Sequence, residues 1–177
     1  DEKIKDRAQK EIDGLNYLGQ LSEKKSYYKV KNLEAINTPF TEYNPVYSNN
    51  ELYFTSSRSN SKIYEATGTP FTDIYKAETS GANVNAGTIT PLPDLINETN
   101  INEGCISFTP DGKTMIFAKG NTGKRKGAND VDLYISRYRN GEWSEALPIN
   151  INLPDAWEST PALSADGRTL YFSSNRK

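Results

Sequence analysis

Glu158-Ser159-Thr160-Pro161-Ala162-Leu163-Ser164-Ala165-Asp166-Gly167-Arg168-Thr169-Leu170-Tyr171-Phe172 is the stretch that decides the architecture. Two short apolar runs flank Asp-Gly, a strong hairpin signal because glycine takes positive φ at no steric cost. The pattern recurs from Glu103 to Phe117, around Asp111-Gly112. An eroded copy runs from Glu42 to Phe54, with Asn49-Asn50-Glu51 where the Asp-Gly turn belongs. Asparagine also tolerates the left-handed conformation. The copies follow one another at roughly 60 residues, and self-similarity at such a period marks an array of supersecondary units.

Outward from each hairpin the plan continues. In the second copy Ile106-Ser107-Phe108 and Thr114-Met115-Ile116-Phe117-Ala118 flank the turn, and residues 131–136 read as a third strand. Arg139-Asn140-Gly141 then turns the chain into a fourth strand around Trp143 and Leu147. Asp73-Ile74-Tyr75-Lys76-Ala77 takes the third place in the first copy. Four short antiparallel strands in a repeat of this length describe the blade of a β-propeller. Blades are expected at 42–102 and 103–157, with the first hairpin of a third at 158–177.

Residues 35–45 parallel residues 148–161: Ile36-Asn37 matches Ile149-Asn150, and each is followed by a proline-containing loop, a Glu and a strand opened by proline. This places residues 27–37, strand-like at Tyr27, Tyr28 and Val30, in the last-strand position of a closing blade. Further upstream, Ile4, Ala8, Ile12, Leu15, Leu18 and Leu21 recur at steps of three and four and predict an amphipathic helix within 1–24. Gly14 weakens it by about 1 kcal/mol relative to alanine. Such a stripe must pack on something, and it is expected to be the tail of an upstream helical-repeat region.

Composition narrows the chemistry. Hydrophobic residues make up 35% of the 177, and eleven tyrosines suit short strands with one wet face. Net charge is -2, with 21 basic and 23 acidic residues, so no global field recruits nucleic acid or anionic lipid. No run approaches the roughly 20 apolar residues of a membrane span. Asp1 opens a charged stretch, so any targeting segment is expected to be removed or to lie outside these residues. With no histidine, Ser-His-Asp and Cys-His nucleophile systems and His-ligated metals are excluded within the chain. The single Cys105 cannot form an internal disulfide and reads as a small buried hydrophobe in a strand.

Pro161 to Arg176 resembles the Tol-type, WD-like β-propeller repeat, whose pattern ends Asp-Gly-Lys/Arg-x-Leu-x-Phe-Ser-Ser-x-Arg. Tyr53-Phe54-Thr55-Ser56-Ser57-Arg58 repeats the same ending. The resemblance covers 27–177. The long blade spacing, the Ile-Asn loop followed by Glu and the helix ahead are most similar to one subgroup, the periplasmic OmpA-family proteins of the Bacteroidetes. In these, helical repeats, a propeller and a peptidoglycan-binding domain follow one another. The subgroup includes the peptidoglycan-linking subunit of the type 9 secretion and gliding machinery. The defining C-terminal domain does not lie within these residues. The sialidase-type Asp box, Ser-x-Asp-x-Gly, is excluded because Asp166 and Gly167 are adjacent, as are Asp111 and Gly112.

Candidate site residues each have a plain structural reading. Asp111 and Asp166 are expected to bond the turn backbone two positions on rather than act as paired acids. Glu42, Glu103 and Glu158 recur at the repeat period and are expected to hold the start of the innermost strand, with a channel-lining ring as the other reading. The one basic cluster, Lys119, Lys124, Arg125 and Lys126 within 119–127, lacks the spacing of a phosphate loop. It reads as a hairpin tip, open to phosphate, lipid A or an acidic protein patch. Asn129, Asp130 and Asp132 fall short of the six to eight oxygens calcium takes. Arg58 and Arg176 are expected to bridge neighbouring blades. Tyr43 and Trp157 are candidate contacts on one rim, with core packing the equal alternative.

The chain is therefore expected to be an all-β propeller fragment, two blades and a hairpin, preceded by an α-helix. Propellers have four to eight blades, so a longer protein is expected. The expected role is a non-enzymatic protein-interaction scaffold, periplasmic and outer-membrane associated, with no cofactor. Its partners would be other proteins of that complex, with peptidoglycan reached through domains outside the chain, and neither nucleic acid nor a membrane span involved. The alternatives are the gating propeller of a prolyl-oligopeptidase-like peptidase, which would carry a Gly-x-Ser-x-Gly elbow beyond Lys177, and a carbohydrate-binding propeller.

Overall fold

The computed structural model describes residues 2–23, 27–28, 30–58, 62–65, 67–120 and 130–177, in two units, Asp1–Asn32 and Leu33–Lys177. In the first unit, the stripe of Ile4, Ile12, Leu15, Leu18 and Leu21 lies on one helix, α1 (Glu2–Ser22). All five side chains are at least half exposed and no residue of α1 is buried, so its order comes from propensity and local bonds such as Gln9 to Asp13. No helix among the described residues is long and apolar enough to cross a membrane. The strand expected at 27–37 does not form among its described residues. Val30 is 99% exposed, and 34–36 is a turn closed by Ile36 N–H donating to Leu33 O at 2.9 Å. A strand is stable only beside an edge that takes up its N–H and C=O groups.

The second unit is built from antiparallel sheets. In the first copy β1 (Glu42–Ser48) pairs with β2 (Glu51–Ser56). A side hairpin of β3 (Ile63–Tyr64) and β4 (Thr69–Pro70), which no sequence pattern announces, comes next. β5 (Asp73–Ser80) returns beside β2, and β6 (Asn83–Val84) and β7 (Thr90–Pro91) both pair with β5. The second copy repeats this as β8 (Asn102–Phe108), β9 (Thr114–Gly120) and β10 (Val131–Arg139), with β11 (Glu142–Trp143) and β12 (Leu147–Pro148) on β10. β13 (Glu158–Leu163) and β14 (Leu170–Ser174) form the third hairpin.

The expected fourth strand is in each case two short pieces. Side chains complete the ladder where it breaks. Thr88 Oγ1 accepts from Glu78 N–H at 2.9 Å, and Ser144 Oγ accepts from Arg137 N–H at 3.1 Å.

The turns follow from local chemistry. Asp111 Oδ1 accepts from Thr109 Oγ1 and from Lys113 N–H, two positions on, while Gly112 sits at φ 66°. Asp166 does the same with Ser164 and Arg168, with Gly167 at φ 69°. These bonds hold both carboxyls below their ordinary range. In the first copy the turn is shorter. Ser48 pairs directly with Glu51, and Asn49 and Asn50 both take positive φ, as a two-residue I′ hairpin requires.

The first strand of each copy, β1, β8 and β13, carries a β-bulge at the same place, with Asn44, Cys105 and Thr160 at φ 51°, 53° and 52°. Cys105, expected to be a small buried hydrophobe in a strand, lies in β8 but at its bulge, where it is half-buried. The bulge is also a seam between copies. Ile106 N–H donates to Asn44 Oδ1 at 2.6 Å. At the next seam the residue matching Ile106 is Pro161, which has no N–H, so the apolar Cys105 suffices where Asn44 stood. A second seam bond runs from Leu163 N–H to Ser107 Oγ at 3.0 Å.

Between the first two sheets lies a core of Tyr53, Ile74, Ile106, Met115, Phe117 and Trp143, among others. Tyr53 and Trp143 both pack on Phe108, with ring centroids 4.7 and 5.9 Å away. β2 is covered on both faces. Tyr53 belongs to this core, while Leu52 and Phe54 join Ile36, Tyr75 and Ala77 on the other side.

The turns touch their neighbours too. A Cβ at Gly112 would run into the Asn49 amide and come within 2.6 Å of Ser48 Oγ, whereas one at Gly81 (φ 58°) meets nothing within 4 Å. Both glycines adopt left-handed backbone, so Gly81→Ala is expected to cost about 1–2 kcal/mol in urea denaturation. Gly112→Ala should cost about the same 1–2 kcal/mol, because the groups its Cβ meets are the ends of the Asn49 and Ser48 side chains, which can turn aside.

Candidate functional site

The recurring glutamate stands at or one residue after the start of the first strand of each copy, across from the last residues of the second strand: Glu42 opposite Ser56, Glu103 opposite Lys119, Glu158 opposite Ser174. Its carboxylate ties the strand to the loop that precedes it. Glu42 accepts from Thr38 N–H at 3.0 Å, Thr38 Oγ1 at 2.6 Å and Ser56 Oγ at 2.9 Å, with Arg58 at 3.3 Å. Glu158 accepts from Leu153 N–H, Ser174 Oγ and Arg176 at 3.2, 2.8 and 2.8 Å. Burial acts to raise both carboxyls, but these donors outweigh it and hold both below the ordinary range.

Each arginine completes the clamp from the other side. Arg58 also donates to Ile36 O and lies over the Phe54 ring at 4.9 Å; Arg176 donates to Ile151 O at 2.8 Å and lies over Phe172 at 4.8 Å. The clamp corrects the alignment of the loops, because the partner of Ile36-Asn37 is Ile151-Asn152 and not Ile149-Asn150. Asn152 binds both backbone groups of Leu133 on β10, at 3.0 and 2.9 Å, and Asn97 binds those of Ile74 on β5 in the same manner. Arg176 thus joins the third hairpin to a loop pinned on the second sheet, the bridging expected of it. The bonds of Arg58 stay within its own copy and the turn before it.

The second copy keeps the glutamate without the clamp. Lys119 stands where Ser56 and Ser174 stand, and it is buried at the end of β9 rather than on a hairpin tip, correcting its place in the basic cluster. Its Nζ lies 2.8 Å from Glu98 Oε2, 3.7 Å from Glu103 Oε1 and 5.5 Å from the centre of the Tyr134 ring. Glu103, 1% exposed, accepts from Glu98 N–H at 3.1 Å, and among the described residues its Oε2 has no hydrogen-bond partner. Burial pushes its carboxyl up to about 8, against the pull of the Glu98 N–H and Lys119. Beside Lys119 opens a cavity of about 440 Å³ whose lining includes Asp94, Glu98, Asp130, Asp132 and Glu145. Among the described residues no group of three or more His, Cys, Asp or Glu side chains is placed to hold a metal ion.

The other candidates fall in different places. Lys124, Arg125, Lys126 and Asn129 lie outside the described residues, and Asp130 and Asp132 belong to the cavity wall. Tyr43 lies on β1. Burial raises its hydroxyl, with Thr72 pulling the other way, and a Cβ on Gly104 would come within 2.9 Å of that oxygen. Trp157 precedes β13 and is half-buried, its backbone N–H donating to Asn175 Oδ1 at 2.8 Å. Tyr43 follows its glutamate and Trp157 precedes its own, so they occupy non-equivalent positions. Sequence reading passed over Glu98, Asp94 and Glu145. The available signal was the replacement of Ser-x-Arg by Lys119-Gly120 at the strand end.

No family model and no curated protein matches the chain. Among solved structures, six chains match. One comes from a structural and mechanistic analysis of two prolyl endopeptidases and the role of inter-domain dynamics in their catalysis and specificity. It shares 12% identity at a TM-score of 0.37, over 75% of this chain and 26% of that one. The chain spans about a quarter of that protein's length, and a likeness of this degree assigns no activity.

Glu103 makes stability depend on pH with a defined sign. Its folded pKa of about 8 lies above the ordinary 4.5, so its stabilising contribution is complete below pH 4.5 and lost as pH rises through 8. Urea midpoints taken from pH 5 to 8.5 should fall with pH in the native protein and fall less steeply in Glu103→Gln. Equal slopes would contradict a buried, protonated Glu103.

Proposed function

We propose that the second unit is part of a β-propeller and that the protein is a non-enzymatic interaction scaffold of a periplasmic, outer-membrane-associated complex of the secretion or gliding kind, with peptidoglycan reached through domains outside this chain. The observation that carries this reading is the clamp. The polar residues that recur from copy to copy, Glu42–Ser56–Arg58 and Glu158–Ser174–Arg176, bond one another and the adjoining loop. They are committed to the framework rather than poised over a substrate. Strands laid side by side in chain order and stacked through their inner strands support the blade reading. The periplasmic setting rests on the resemblance of residues 27–177 to the Tol-type repeat.

Cross-linking the full-length protein in intact cells, then resolving the envelope by native electrophoresis, tests this reading. The protein is expected to migrate with outer-membrane proteins and to remain on purified peptidoglycan sacculi. A monomer released from the envelope that turns over a peptide substrate would overturn it.

A further inference from the structure

Where the first and third copies use a serine and an arginine, the second has one lysine within reach of two carboxylates. Lys119 Nζ is closer to Glu98, on the cavity wall, than to Glu103, in the interior. Glu98 is largely exposed, with its side chain 58% accessible, while Glu103 is sealed off and one of its carboxyl oxygens has no hydrogen-bond partner among the described residues. A carboxylate in such a place cannot stay ionised without a counter-ion. Of the described groups facing it, Asp73 on β5 and Glu98 are of like charge and oppose ionisation; Lys119 is the one opposite charge in range. Asp132 on β10 lies directly across from Lys119 in the sheet, and the Tyr134 ring borders its ammonium.

We propose that Lys119 is a movable counter-ion: it pairs with Glu98 while Glu103 holds a proton, and turns inward when Glu103 loses it, leaving Glu98 unneutralised on the cavity wall. The proton goes to solvent and no bond other than Glu103 O–H breaks. In the first state the wall presents a closed Lys119–Glu98 pair. In the second, Lys119 is withdrawn and Glu98 adds its charge to that of Asp94 and Glu145. The device belongs to the second copy alone. Glu42 and Glu158 have arginines that do not deprotonate and hydroxyls that hold them ionised. The charge this face offers to a basic ligand would therefore increase with pH.

Carboxyl-¹³C glutamate labelling of the full protein tests the proposal by NMR titration from pH 4 to 10. Glu103 is expected to titrate near 8, and the Glu98 signal to show a second inflection at the same midpoint, absent in Glu103→Gln. Because Glu98 is exposed, Glu98→Gln is expected to fold normally. It should free Lys119 for Glu103 and lower the Glu103 midpoint by on the order of one pH unit. A Glu98 signal without the second inflection, a Glu103 midpoint in the ordinary carboxylate range, or a midpoint unmoved by Glu98→Gln would each overturn it.

Discussion

A carboxylate buried at the head of a strand must be surrounded by donors or give up its charge, and the second unit is arranged around that requirement. Glu42 and Glu158 are supplied by a loop N–H, a serine hydroxyl and an arginine. The loop N–H comes from one stretch of chain, and the hydroxyl and the arginine come from another. Satisfying one carboxylate therefore fixes the preceding loop, the inner strand and the return strand together. The arginine needs acceptors of its own and takes them from a loop carbonyl, with an aromatic face beneath it. Remove the arginine and the hydroxyl, as the second copy does, and the same glutamate becomes a buried acid whose proton is held by lack of solvent.

What the sequence conveyed and what it withheld divide along the range of the forces involved. Asp111-Gly112 and Asp166-Gly167 were legible because a turn is settled by four or five consecutive residues. The order of strands was legible from the alternation around them. The bulges were not. Asn44, Cys105 and Thr160 share no chemistry, and their common conformation answers to the fit between neighbouring sheets. A β-branched residue such as Thr160 would never be chosen for positive φ by local preference.

Long-range placement also explains the misreadings at the site. Lys119 sits in sequence beside the basic run, but its cross-strand partner is Glu103, and β-pairing draws it inside. Ile149-Asn150 and Ile151-Asn152 are indistinguishable as text, and only the Leu133 backbone selects the second asparagine. The segment 27–37 has the composition of a strand, yet composition supplies no edge to pair with. Trp157 and Tyr43 look alike beside their glutamates, though they stand on opposite sides of them.

The seams between copies carry a consequence of their own. At the first, Ile106 offers an N–H and Asn44 accepts it; at the second, Pro161 offers none and Cys105 need not answer. Exchanging Asn44 and Cys105 would strand an amide hydrogen at the first seam and leave an idle acceptor at the second. The repeats are alike in plan but not interchangeable. Each is keyed to the neighbour that follows it, so the order of the copies along the chain is part of the structural information.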